Sequence, residues 1–156
     1  MLLSPRPCAA IEDYQLGFCC CASVEVRPGL LQSPGEAAGA TAVLPPLPLR
    51  QWVLSLPKRL RYYLHHDREA LNAALRILLD EIERHLRAHS SGARLNARAG
   101  AVAFIHRFGS SLNPHTHFHV CVIDGVFEPD PPGGVRFYAV DAMDAHDAEV
   151  VQARVR

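Results

Sequence analysis

The sequence predicts an α+β domain in which an antiparallel sheet carries helices on one face. Three observations lead there. Short runs rich in Val, Ile, Phe and Trp are bounded by Gly, Pro, Asn and Ser, as strands are. One central stretch repeats Leu and Ile at helical spacing. The order is strand, helices, then a run of strands joined by turn-rich segments, which separates the helices from an antiparallel sheet. The chain has 156 residues, 49% of them hydrophobic, about one domain's worth of material and enough for a packed core.

Residues 1–48 are expected to be a poorly ordered N-terminal segment. They are rich in Pro, Gly, Ala and Ser, and "LQSPGEAAGATAVLPPLPL" has no sustained period. The core is expected over residues 49–140. It opens at "RQWVLSLP", where Trp52 and Leu54 alternate with Val53 and Ser55 in a short strand that stops at Pro57. Pro57 suits the first turn of a helix through "PKRLRYYLHH". Asp67 can cap the next helix, in which Leu71, Leu75, Leu78, Ile82 and Leu86 form one stripe. Its other face carries Arg76, Asp80, Glu83, Arg84 and Arg87, and "SSGARLNARAG" closes it. "AVAFIHRF" and "HTHFHVCVID" read as two strands of a hairpin around "GSSLNP", and "GVRFYAV" as one more strand. Residues 141–156 read as the start of a helix cut off at its end.

The formal net charge is zero, but it is unevenly spread. From Pro46 to Phe127 there are eleven Arg and Lys against six Asp and Glu, whereas both flanks are acidic. The middle segment therefore favours a polyanionic partner although the whole chain is neutral. No apolar run reaches the ~18 residues of a membrane helix, and "MLLSPRPCAA" lacks the apolar stretch of a signal peptide. A cytoplasmic protein with no membrane partner is expected. The cysteines are Cys8, Cys19, Cys20, Cys21 and Cys121, an odd set with neither a disulfide framework nor zinc-finger spacing.

The most informative stretch is "NPHTHFHVCVID", residues 113–124. A strand sends alternate side chains to opposite faces. His115, His117, His119 and Cys121 would therefore point one way, and Thr116, Phe118, Val120 and Val122 the other, toward a core. These apolar neighbours make the strand central, where side chains are held rigidly. Imidazoles in a row pack poorly and point to a metal or phosphate site, and neutral imidazole ligates metal ions well. His117 and His119 can reach one ion, with the third ligand from His106 on the neighbouring strand or from His115.

At this point the sequence resembles the HUH (His–hydrophobe–His) superfamily, and within it the two-tyrosine rolling-circle insertion-sequence transposases. "RQWVLSLPKRLRYYL" is similar to the opening of their core, and "GAVAFIHRFGSSLNPHTHFHVCVIDGVF" to their metal-site hairpin. The resemblance runs from about Leu47 to Phe127. It implies an HUH endonuclease-like fold and a Mg²⁺ or Mn²⁺ ion on His117 and His119, with His106 and His115 matching further family histidines. It also implies action on single-stranded DNA at transposon ends: a tyrosine on a later helix attacks a phosphate and leaves a 5′-phosphotyrosine and a free 3′-hydroxyl. Arg50, Lys58, Arg59 and Arg61, flanking the first strand and helix, are expected to contact backbone phosphates.

Two departures bear on these expectations. Residues 1–48 lack the spacing of the family's Cys-rich zinc region, so no zinc is expected there. Past Phe127 the one tyrosine is Tyr138, in an expected strand; Tyr62 and Tyr63 lie upstream, where they would pack or touch DNA backbone. The expectation is a partial transposase whose nucleophile is missing, with Tyr138 as the remaining candidate. The same histidines also resemble those of the histidine-triad nucleotide hydrolases, in which the middle histidine attacks an α-phosphate without a metal, but that family leaves "RQWVLSLPKRLRYYL" unexplained. An inert DNA-binding remnant is the third alternative.

Overall fold

The structure is a computed structural model that describes residues 23–28, 47–109 and 113–155. Five strands form one sheet: β1 (Ser23–Pro28), β2 (Leu49–Ser55), β3 (Arg98–Phe108), β4 (Pro114–Asp130) and β5 (Gly134–Ala139). The helices are α1 (Lys58–His66), α2 (Arg68–Ala88) and α3 (Ala145–Val155). All strand pairs are antiparallel. The architecture is α+β.

Strand β1 falls within the segment expected to lack order. It pairs along its length with β2, Ser23 opposite Ser55 and Pro28 opposite Arg50. "SVEVRP" alternates Val24 and Val26 with polar residues, a strand signal too short to stand out among the prolines and glycines that follow. The Cys19–Cys21 run and Tyr14 lie outside the described residues.

Strand β4 is central, running between β2 and β3. Its 17 residues exceed the expected strand. The extra length is used twice on one edge: β2 pairs with residues 117–123 and β5 with residues 125–130. At the junction Asp124 N donates to the Pro48 carbonyl at 2.8 Å, and the Asp124 carbonyl accepts from Val140 N at 3.0 Å. Gly125 permits β5 to come close, because a Cβ there would collide with the Tyr138 carbonyl and the Phe137 ring. The opposite edge of β4 pairs with β3, with register shifts between Ala99 and Ala101 and between His106 and Phe108.

The apolar core lies between the sheet and the helices. Trp52, Leu54, Phe118 and Val120 are fully buried, and the register sets Trp52 opposite Val120 and Leu54 opposite Phe118. Against them pack Leu71, Leu78, Ile82 and Leu86 of α2, Leu64 of α1 and Val151 of α3. Leu75 of the expected stripe is only partly buried at the rim of this cluster. Asp67 caps α2 as expected, its Oδ1 accepting from Glu69 N at 2.9 Å and Ala70 N at 3.0 Å. Pro57 stands just before α1 rather than in its first turn; its carbonyl accepts from Leu60 N at 2.9 Å. Helix α3 starts with a reciprocal cap: Asp144 Oδ1 accepts from His146 N, and Asp147 Oδ2 accepts from Asp144 N. Among the described residues no helix is long and apolar enough to cross a membrane.

Candidate metal centre

Two-residue alternation on β4 puts the histidines on the sheet face away from the helices. On β4, Thr116, Phe118, Val120 and Val122 are buried, whereas His115, His117, His119 and Cys121 are half-buried on the other side. Directly opposed residues of an antiparallel pair share a face. His106 lies opposite His117, Phe104 opposite His119 and Ser55 opposite His117, so β2 and β3 add to the same open surface.

Three imidazoles converge there. His106, His117 and His119 each offer a ring nitrogen, and these three atoms lie within 4.8 Å of one another. The ring centroids are 4.9 Å apart for His106 and His117, 4.6 Å for His106 and His119, and 5.1 Å for His117 and His119. His115 stands outside this group, beside His117 at 5.1 Å between centroids. Its Nε2 is buried without a hydrogen-bond partner among the described residues.

Neighbouring groups orient the rings. His117 Nδ1 donates to the His115 carbonyl at 2.8 Å, which leaves Nε2 as the lone-pair nitrogen. The Gln51 amide lies 2.7 Å from His119 Nδ1. An amide can present either end, and its oxygen end would hold the proton on Nδ1 and free Nε2. Gln51 has no motif signal in the sequence; only the register of β2 against β4 brings it to this face.

Burial favours the neutral form of His115 and His117. Burial is the main cause that pushes the His117 pKa below its ordinary value; His106 and Arg61 add to the shift, and the bond to the His115 carbonyl opposes it. His115 is lowered by burial first, then by Arg61 and His117. A neutral imidazole is the form that ligates metal. Burial raises the Cys121 thiol pKa, so Cys121 stays protonated at the end of the row.

The other expected site residues are dispersed. Arg50 shares the face of Trp52 and Leu54, on the helix side. Its Nε and Nη2 donate to Asp124 Oδ1 and Oδ2, both at 2.9 Å, and the pair is largely buried. It therefore braces the junction of β2 and β5 and offers no surface cation beside the histidines. Lys58 and Arg59 are exposed at the start of α1. Arg61 donates from Nε to the Leu56 carbonyl at 3.0 Å, close enough to the histidine face to act on His115 and His117. Tyr62 and Tyr63 are exposed on α1. Tyr138 is not brought to the histidines: it lies opposite Val126, seven positions along β4 from His119, and packs against the core.

Residues 100–154 match the two-tyrosine (Y2_Tnp) family model, described as "Putative transposase". The matched segment holds β4 and β5, most of β3 and nearly all of α3, and with them His106, His115, His117 and His119. The match agrees with the transposase resemblance rather than with the triad hydrolases. No curated protein and no solved structure matches the chain.

Proposed function

We propose that this chain, of the two-tyrosine transposase kind over residues 100–154, binds single-stranded DNA across the open face of its sheet and holds one divalent ion on His106, His117 and His119. The observation that carries the reading is the convergence of these three imidazoles on a face left open by the helices, inside the matched segment. An ion bound there would act as a Lewis acid on a phosphate oxygen. The donor set contains imidazole and no carboxylate, which suits Mn²⁺ better than the oxygen-seeking Mg²⁺.

The chain's own residues account for the remainder of the reading. Phe104 is 52% exposed on the same face, opposite His119, and offers a ring on which a base can stack. Lys58, Arg59 and Arg61 supply positive charge at the end of the sheet where β2 runs into α1, suited to backbone phosphates. Tyr138 takes no part in a covalent step, because it faces the core.

The test is calorimetric titration of Mn²⁺ into the chain, paired with binding of a labelled single-stranded oligonucleotide. Mn²⁺ binding that disappears in a His117→Ala, His119→Ala pair is the expected result, together with DNA affinity that falls steeply with salt. Unchanged Mn²⁺ binding in the pair, or a flat salt response, would remove the reading. A covalent protein–DNA adduct that survives denaturation and is lost in Tyr138→Phe would show that the placement of Tyr138 misleads.

A further inference from the structure

A second cluster of metal-ligating side chains lies on the helix side of the sheet, away from the histidine face. His85 lies in the last turn of α2 and His89 caps the C-terminus of that helix, their ring centroids 4.2 Å apart. Asp147 comes from the first turn of α3. One ligand atom from each of the three lies within 4.8 Å of the other two. His85 and Asp147 are buried, at 2% and 8% exposure.

The hydrogen bonds define what this cluster lacks. Asp147 Oδ2 is engaged by the backbone N–H of Asp144, which leaves Oδ1 facing two imidazoles. His85 Nε2 lies 2.8 Å from Oδ1 and His89 Nε2 lies 3.7 Å from it. A simple bond between His85 and Asp147 accounts for the first distance but not the second. His89 Nδ1 donates to the His85 carbonyl at 2.9 Å, so a neutral His89 keeps its proton on Nδ1. Its bare Nε2 then faces a carboxylate oxygen, lone pair against negative charge. Either a second proton on His89 or a metal ion between the three groups relieves that opposition.

We propose that His85, His89 and Asp147 form a second binding site, for a transition-metal ion of the zinc class, which pins the start of α3 to the end of α2. Two imidazoles and one carboxylate are zinc-type ligands. Bonds of ~2.1 Å in a tetrahedron place ligand atoms ~3.4 Å apart, a value that lies between the 2.8 and 3.7 Å found here. The His89 side chain is 38% exposed, which gives the ion a way in and a water a fourth position. The Nδ1 bond of His89 is the orienting contact that metal-bound histidines commonly have. Neighbouring bonds already hold the two segments together: Asp141 N donates to the His89 carbonyl at 2.9 Å, and Ser91 Oγ donates to Asp141 Oδ2 at 2.7 Å. The ion would tie Asp147, within the family-matched segment, to two residues outside it.

The experiment uses the full chain carrying His117→Ala and His119→Ala, which removes two of the three ligands proposed for the first centre. After dialysis against Zn²⁺, elemental analysis should find about one retained equivalent, and Co²⁺ should give the intense visible absorption of a four-coordinate site. Adding His89→Gln should weaken Zn²⁺ binding at least about tenfold and quench the Co²⁺ bands, with far-ultraviolet circular dichroism confirming that the chain stays folded. A double variant that retains no Zn²⁺, or a Co²⁺ spectrum indifferent to His89→Gln, would overturn the proposal and leave a protonated His89 in its place. Should the triple variant unfold, His89→Gln alone in the otherwise intact chain decides the matter: it should retain one Zn²⁺ equivalent fewer than the unsubstituted chain, whether or not the first centre binds Mn²⁺. Failure of the first centre therefore leaves this test intact.

Discussion

The two faces of β4 come from one strand and do opposite things. Thr116, Phe118, Val120 and Val122 are at most 1% exposed and lie under the helices. His117 and His119, their immediate neighbours, are half-buried on a face that the described helices leave open. A single step in sequence thus separates residues buried in the core from the imidazoles proposed to hold an ion. His117 and His119 are held by a strand whose other side is locked into the core. A one-residue slip of β4 would exchange the two roles entirely.

If the faces are as distinct as this, substitutions on each should have different signatures. The largest effect is expected from Phe118→Ala, which empties a fully buried site in the core and should cost about 3–5 kcal/mol in urea unfolding. A loss under about 1 kcal/mol would mean that the buried face is not the source of stability. On the other face, His117→Ala with His119→Ala should remove Mn²⁺ binding yet change the unfolding free energy in chelator by no more than about 1 kcal/mol. Phe104→Ala, also on the open face, should weaken single-stranded DNA binding by about 1–3 kcal/mol and leave Mn²⁺ binding alone. Equal DNA affinity would confine the open face to metal binding.

Acid should act on both sides of the sheet in the same direction. The pKa values of His117 and His115 on the open face, and of His85 on the helix side, are lowered chiefly by burial. A histidine whose folded pKa is depressed takes up its proton more readily when unfolded. The chain in chelator should therefore lose stability as pH falls below the ordinary histidine value of 6.5, toward the lower folded values. A midpoint in urea that stays flat across that window would contradict the burial of these rings. The smallest effects belong to single charges. Arg59→Gln should lower the salt slope of single-stranded DNA binding by only about 0.7. Arg50→Gln should leave that slope unchanged and cost about 1–2 kcal/mol of stability by stranding Asp124.

Much of this division was legible in the sequence, because alternation on a strand needs no tertiary information. The row from His115 to Cys121, the helical stripe from Leu71 to Leu86 and the cap at Asp67 all follow from local spacing. Residues whose roles depend on pairing were not legible. Arg50 looks like a surface cation until the register sets it beside Asp124, 74 positions away. Gln51 reaches His119 only because β2 lies against β4, and Tyr138 is placed by the turn that returns β5 along the same edge. His85, His89 and Asp147 escaped notice for a similar reason: the two histidines lie within a polar helix end, and their partner is 62 residues on from His85.

The register shifts in β3 bear on how its outer edge meets other chains. Strand β3 ends the sheet on one side, with no partner on its outer edge among the described residues. It is eleven residues long and exposes Phe104, Ile105 and Phe108. Such an edge is a template for a strand from another molecule, and a helix laid over it is one common protection. Among the described residues the helices meet β3 near its two ends: Glu83 Oε2 of α2 accepts from Ala99 N at 3.1 Å, and the His65 carbonyl of α1 accepts from Arg107 Nη1 at 3.0 Å. The irregularities at Ala99–Ala101 and His106–Phe108 interrupt the ladder near both ends of β3, and at the first of them Arg98 pairs with Glu83 at 3.1 Å. A straightened β3 would present a longer continuous edge to a second copy.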